Sequence, residues 1–234
     1  MTFPRTKASD ICVKLNGMSI EKVECCRYLG IFIDDKLTWS YHIDIIYKKL
    51  MKYVGIFYKI RCKLPLPILK NIYFAFVHPY ILYGIEIYAN THNIHLKKLI
   101  TLNNKLLRIL QNKPLKFPIN ELYLNFDTLA IPELHTQQLL LLVHKFLHHT
   151  HLLPSVCASY FTLNSSVHLH NTRMAENLHL ISVAKDFGKR SVKYKASKMW
   201  NELPKALTDF CSVKQFNIRL KAFLQSADAN DISW

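Results

Sequence analysis

Glycine is scarce in this chain, with five among 234 residues. They form no GxGxxG, no GxxxxGK[ST] and no GxSxG, which removes the common phosphate-cradling loops and the hydrolase nucleophile turn from consideration. Acid is the second deficit. Asp and Glu number 16 against 31 Lys and Arg, a net charge of +15 with a pI near 9.5. That excess argues for a polyanionic partner, nucleic acid ahead of an anionic membrane face, and carries no information about fold. Six cysteines (Cys12, Cys25, Cys26, Cys62, Cys157, Cys211) lack the spacing of a disulfide framework, and the neighbours Cys25 and Cys26 cannot easily pair with each other. A reducing, intracellular compartment, nucleus or cytoplasm, is therefore expected. Met1-Thr2-Phe3-Pro4-Arg5 does not begin a secretory leader. Long hydrophobic runs are also missing. The most apolar region, Ile72 to Ile87, is interrupted by His78, Pro79 and Glu86 and falls short of the ~20 apolar residues that span a bilayer. It reads as a buried helix pair, and no transmembrane segment is expected.

Enough apolar sequence remains for a real core, since half of the residues are hydrophobic. Strand-like sequence is confined to residues 8 to 34. Ile11 to Leu15 and Met18 to Val23 flank Asn16-Gly17, a strong hairpin signal. Tyr28-Leu29-Gly30-Ile31-Phe32-Ile33 reads as one further strand, running into Asp34-Asp35 and a helix start at Leu37-Thr38-Trp39.

From Ser40 the period changes to that of a helix. Ile43, Ile46, Tyr47, Leu50, Val54, Phe57 and Tyr58 fall on one side, with Lys48, Lys52, Lys59 and Lys63 opposite. Pro65 and Pro67 end this helix. The next carries Leu69, Ile72, Tyr73, Phe76 and Val77, and Pro79 kinks or restarts it before Tyr80 to Tyr88. These aromatics are interleaved with aliphatics and assigned to the core rather than to base stacking. Ile94 to Asn112 repeats the amphipathic design: Leu96, Leu99, Ile100, Leu106, Leu107 and Leu110 face one way, Lys97, Lys98, Lys105 and Arg108 the other.

Pro132 opens a further helix, the stretch from His148 to His170 reads as a loop or weak boundary, and Lys185 to Lys198 is basic. The last helix is announced by a potential capping box, Ser212 with Gln215, and by Val213, Phe216, Leu220, Phe223 and Leu224 on one face; a frayed tail is expected from Ser226. The expected fold class is mainly α.

Two clusters invite chemical readings. Paired carboxylates such as Asp34 and Asp35 hold metal ions in nucleotidyl transfer. Adjacent side chains on a strand point to opposite faces, however, and an aspartate before a helix satisfies free amides, so a structural role is favoured. His144 and His148, with His149 and His151 beyond, have an i, i+4 spacing that zinc could use, but no acid lies between them as in HExxH and no cysteine is suitably spaced. The pair His168 and His170 is a weaker candidate.

Three blocks together resemble the reverse transcriptases of non-LTR, LINE-like retrotransposons of the jockey type. The first is Tyr28-Leu29-Gly30-Ile31-x-Ile33-Asp34 with Leu37-Thr38-Trp39 and His42-Ile43. The second is Tyr73-x-Ala75-Phe76-Val77-x-Pro79-x-Ile81-x-Tyr83-Gly84, followed by Leu99-x-x-Leu102-Asn103-Asn104-Lys105-x-Leu107-Arg108-Ile109. The third comprises Thr172-Arg173, Gly188-x-x-Ser191-x-x-Tyr194-x-Ala196 and Trp200-Asn201-x-Leu203-Pro204.

The resemblance implies a helical, thumb-like bundle preceded by a small β-hairpin or sheet remnant of a palm domain. It divides the chain into a palm end with a primer-grip-like strand (1–38), a thumb-like region (39–115), a helical region and loop (116–171) and a C-terminal helical region (172–234). Such polymerases carry their metal-binding aspartates in a Tyr-x-Asp-Asp palm hairpin, which this sequence lacks. The resemblance therefore implies a fragment without the catalytic palm motifs, inactive alone and without a cofactor of its own, divalent metal belonging to the complete enzyme.

The expected partner is duplex RNA or DNA, held without sequence preference, with other polymerase segments as further candidates. The candidate nucleic-acid-binding residues are Lys48, Lys52, Lys59 and Lys63, then Lys97, Lys98, Lys105 and Arg108. A third basic cluster comprises Lys189, Arg190, Lys193, Lys195 and Lys198. The alternative reading is a basic amphipathic helical protein that meets a protein partner or an anionic membrane.

Overall fold

The structure is a computed structural model that describes residues 14–19, 21, 23–157, 159–167 and 174–226. The expected strand residues from Ile11 to Val13, the pair His168 and His170, Thr172-Arg173 and the chain beyond Ser226 lie outside the described residues. Two antiparallel hairpins precede a helical body. In the first, β1 (Lys14–Leu15) pairs with β2 (Met18–Ser19). Asn16 and Gly17 both take positive φ, 50° and 79°, as a tight primed turn requires.

The second hairpin corrects the sequence reading. Tyr28 to Ile33 is not one strand: β3 (Cys25–Tyr28) turns at Leu29-Gly30 and pairs with β4 (Ile31–Asp34), Tyr28 opposite Ile31 and Cys25 opposite Asp34. Leu29 and Gly30 have φ of 46° and 83°. Leucine is no turn signal, and a left-handed L-residue costs about 1–2 kcal/mol. The cost is met from outside the hairpin. Tyr83 donates its hydroxyl hydrogen to the Leu29 carbonyl at 2.5 Å, and Ile31 is buried.

Asp34 starts the helical body. Its Oδ2 accepts from the Thr38 amide (2.8 Å) and hydroxyl (2.7 Å), and its Oδ1 accepts from the Trp39 amide at 2.8 Å. Those bonds hold the loop that ends in Trp39 (φ 61°) and hand the chain to α1 (Ser40–Ile60), where His42, Ile43, Ile46, Leu50 and Phe57 are buried. Tyr58, assigned to the apolar side, is instead 49% exposed, with the Arg61 guanidinium 4.8 Å above its ring. The helix ends within three residues of it, so no neighbour reaches across to cover it.

α2 (Leu66–Phe76) begins with Pro67 in its first turn, α3 (His78–Leu82) restarts at Pro79, and α4 (Ile85–Tyr88) follows Gly84 at φ 70°. Then come α5 (Asn93–Leu110), α6 (Ile119–Asn125), α7 (Ile131–His148), α8 (Asn164–Val167), α9 (Asp186–Lys189), α10 (Val192–Glu202), α11 (Lys205–Thr208) and α12 (Val213–Gln225). Ser212 stands at the α12 N-cap, but its side chain makes no capping bond, so the expected capping box is not formed. The apolar face of α12, with Phe216, Leu220 and Leu224 buried on α7, positions the helix instead.

α1 lies along α5, α6 packs on α5, and α7 carries α4, α10 and α12. One hydrophobic cluster runs from Ile43 to Leu224 through these helices. Its polar centre is a chain of hydrogen bonds: Tyr73 donates to Asn103 (3.1 Å), Asn103 donates to Tyr123 (3.2 Å), and Tyr123 donates to Asn104 (2.5 Å). Every member is buried and partnered, the condition under which polar groups are tolerated in a core. No described helix is long and apolar enough to cross a membrane.

Candidate nucleic-acid interface

Lys48, Lys52 and Lys59 are all exposed on the side of α1 turned away from the core. Burial of Ile43, Leu50 and Phe57 dictates this, because residues half a turn away on a 3.6-residue helix must face water. Lys63 lies just past the helix, exposed, with its amide bonded to the Ile60 carbonyl at 2.9 Å. The α5 candidates divide. Lys97, Lys98 and Lys105 line a groove of about 490 Å³ whose α1 wall is Tyr47 and Met51. Lys98 also forms an ion pair with Asp44 of α1, joining the two helices. Arg108 stands apart: it is half-buried, and its Nε is enclosed without a partner.

A second groove, of about 470 Å³, was not legible in the sequence. Arg27, Lys49, Phe76, Tyr80 and Tyr83 are among the residues that line it. Phe76, Tyr80 and Tyr83, assigned to the core, are 51%, 39% and 58% exposed, because α3 and α4 turn at Pro79 and Gly84 and leave that side uncovered. The Lys49 ammonium lies 5.3 Å from the Tyr80 ring centroid, close enough for a cation–π contact. Helical periodicity does not single out Lys49, which sits beside Lys48, little more than a quarter of a turn off the stripe. Its adjacency to a basic residue on an amphipathic helix was the available signal.

The third basic cluster is largely occupied within the fold. Arg190 pairs with Asp186 at 3.2 Å, Lys198 pairs with Glu202 at 3.7 Å, and Lys193 lies 5.9 Å over the Tyr160 ring. Lys189 is exposed, and Lys195 is half-buried.

In both clusters with a metal reading the fold commits part of the ligand set to other bonds. Burial would raise the Asp34 carboxyl, but the hydrogen bonds from Thr38 and Trp39 outweigh it and hold the group below its ordinary range. Those same bonds occupy both of its oxygens. The rings of His144 and His148 are 4.8 Å apart, but His144 Nε2 donates to the Phe210 carbonyl and His149 Nε2 to that of Cys211, each at 2.6 Å. Burial lowers the His144 imidazole below its ordinary value, against the hydrogen bond to Phe210, and its ring is stacked on Phe216 at 4.3 Å. Among the described residues no group of three or more His, Cys, Asp or Glu could hold a metal ion.

The chain is 34% identical over 117 residues to the RNA-directed DNA polymerase from mobile element jockey of Drosophila melanogaster. About half of this chain is therefore related to a jockey-type reverse transcriptase. The matched stretch is 49% of this chain and 13% of that polymerase, so the chain spans a small part of the relative's length. No family model matches the chain, and no solved structure matches it. The expected resemblance to a jockey-type reverse transcriptase is thus met over about half of the chain, a stretch shorter than the distance from the first sequence block to the third, and the mainly helical body behind small hairpins agrees with the expected fold class.

Proposed function

We propose that this chain is a nucleic-acid-holding portion of a jockey-type reverse transcriptase, with α1 and α5 gripping the sugar–phosphate backbone of an RNA–DNA duplex irrespective of sequence. The observation that carries this reading is the coincidence of two basic surfaces: the exposed Lys48, Lys52 and Lys59 on α1, beside a groove lined by Lys97, Lys98 and Lys105 of α5. Lysines of this kind neutralise phosphates and release counterions without reading bases. The excess of 31 basic over 16 acidic residues supplies the long-range attraction. Arg108, half-buried, is assigned a supporting place behind Lys105 rather than a phosphate contact of its own.

Affinity for an RNA–DNA duplex is expected to fall steeply as salt rises. Replacing Lys48, Lys52 and Lys59 together by alanine is expected to flatten the log–log slope by roughly 2 to 3. An unchanged slope would remove the α1 stripe from the interface. Anionic vesicles bound more tightly than duplex at the same salt would favour a membrane-facing protein instead. We also assign the catalytic step to residues other than those described, since Asp34 is committed to Thr38 and Trp39. Extension of a primed RNA template by the purified chain with magnesium would overturn that assignment.

A further inference from the structure

A cavity of about 780 Å³ opens where α5, α7, α10 and α12 meet, next to the basic groove. Ile94, Lys97 and Thr101 border both hollows, so the N-terminal half of α5 is a ridge with the groove on one side and the cavity on the other. The volume is that of a small-molecule site. Ile94, Ile100, Met199 and Leu224 give it apolar walls, and two ammonium groups, Lys97 and Lys195, stand in them.

Neither lysine is in an ion pair among the described residues. For Lys195 this is costly, because the amine is half-buried and its desolvation lowers its pKa with no counter-charge to restore it. The other titratable groups of the wall form no ion pair with it. Burial, with the Lys195 charge nearby, holds His135 neutral with its Nε2 unpartnered. Burial also pushes the Glu133 carboxyl up, against the amides of Glu133 and Ala130, and no ion pair joins it to either lysine. The cavity therefore combines apolar walls with two ammonium groups against the single carboxyl of Glu133, which pairs with neither, so its charge leans positive, the inverse of an amphiphilic anion.

We propose that this cavity receives one unpaired nucleotide at the end of a strand whose backbone lies along the α1–α5 groove, its phosphate meeting Lys195 and Lys97 and its base lying against Ile94, Ile100, Met199 and Leu224. The proposal rests on the nucleic-acid reading above. The shared ridge gives the strand a continuous path from groove to cavity over Lys97. No Phe, Tyr or Trp lines the cavity and His135 is its one aromatic ring, so the base is held chiefly by shape and apolar contact, with little preference among the four bases.

The test compares one RNA–DNA duplex in blunt form and with a single-nucleotide overhang, at constant salt, against the wild-type chain, Lys195→Met and Lys195→Arg. The overhang is expected to improve wild-type affinity about tenfold, the gain from one charge-assisted contact. Lys195→Met should abolish that difference and leave blunt-duplex affinity unchanged, and Lys195→Arg should retain most of it. A variant-independent check is acylation of Lys195 at neutral pH read by mass spectrometry, slowed by the overhang duplex and not by the blunt one. Equal affinity for both duplexes, a preference that survives Lys195→Met, or equal labelling in both complexes would each overturn the proposal. Salt-dependent duplex binding without overhang preference would defeat this inference alone, whereas absence of duplex binding would defeat the underlying reading as well.

Discussion

Gly84 and Ile31 approach so closely that a Cβ placed on the glycine would lie 2.5 Å from Ile31 Cδ1. Through this contact the tip of the second hairpin is seated on the bend between α3 and α4. Gly84 also has φ of 70°, which L-residues rarely adopt. Gly84→Ala is therefore expected to lower stability by about 1–3 kcal/mol in urea unfolding. Gly55, inside α1 with nothing within 4 Å of its would-be Cβ, should respond the other way. Gly55→Ala should stabilise by about 0.5–1 kcal/mol. A larger loss at Gly55 than at Gly84 would contradict the hairpin's seating.

Tyr83→Phe isolates the other tether of the hairpin. Losing the 2.5 Å bond to the Leu29 carbonyl should cost about 0.5–1.5 kcal/mol, and faster amide exchange should be confined to residues 25–34. Acceleration within α5 as well would show that the hydroxyl supports more than the hairpin.

Asp34 ties stability to acid pH. Its folded-state pKa lies below the ordinary carboxyl value of 3.8, so its contribution is fully present above that value and disappears as pH falls through the lower, folded one. Asp34→Ala should cost about 1–2 kcal/mol at neutral pH, the range for a lost helix cap. The gap to wild type should narrow below about pH 4. A gap independent of pH would mean that the carboxylate charge is immaterial to the start of α1.

His135 acts in a higher window. Burial, with the Lys195 ammonium nearby, brings it from 6.5 to about 3. Between those values the unfolded chain binds a proton that the folded one refuses, so stability falls as pH drops from 6.5. His135→Leu should reduce the slope of the urea midpoint against pH between 6.5 and 4. Burial lowers His42, His78 and His144 too, so part of the slope should remain.

Much of the helical body was legible in the sequence. Pro65, Pro67, Pro79 and Pro132 mark helix boundaries within a residue or two, and the 3.6-residue spacing of Ile43, Leu50 and Phe57 or of Leu99, Leu106 and Leu110 picks the faces that are buried. These signals are local: a period or a missing amide acts within a few turns of chain. The Asn16-Gly17 hairpin is local in the same sense.

By itself, then, the sequence determined the helix boundaries, the apolar faces, the first hairpin and the excess of positive charge. Tertiary structure decided which charges stay free and where hollows form. Lys98 looked equivalent to Lys97 until Asp44, 54 residues away, was packed beside it; Leu29 could enter the left-handed region only because Tyr83, also 54 residues away, reaches its carbonyl. Lys195 belonged to a basic run until the meeting of α5, α7 and α10 left it half-buried in a cavity. Helical periodicity states which side of one helix is apolar, but it holds no information about which second helix covers that side, and the pairings that define the site are made there.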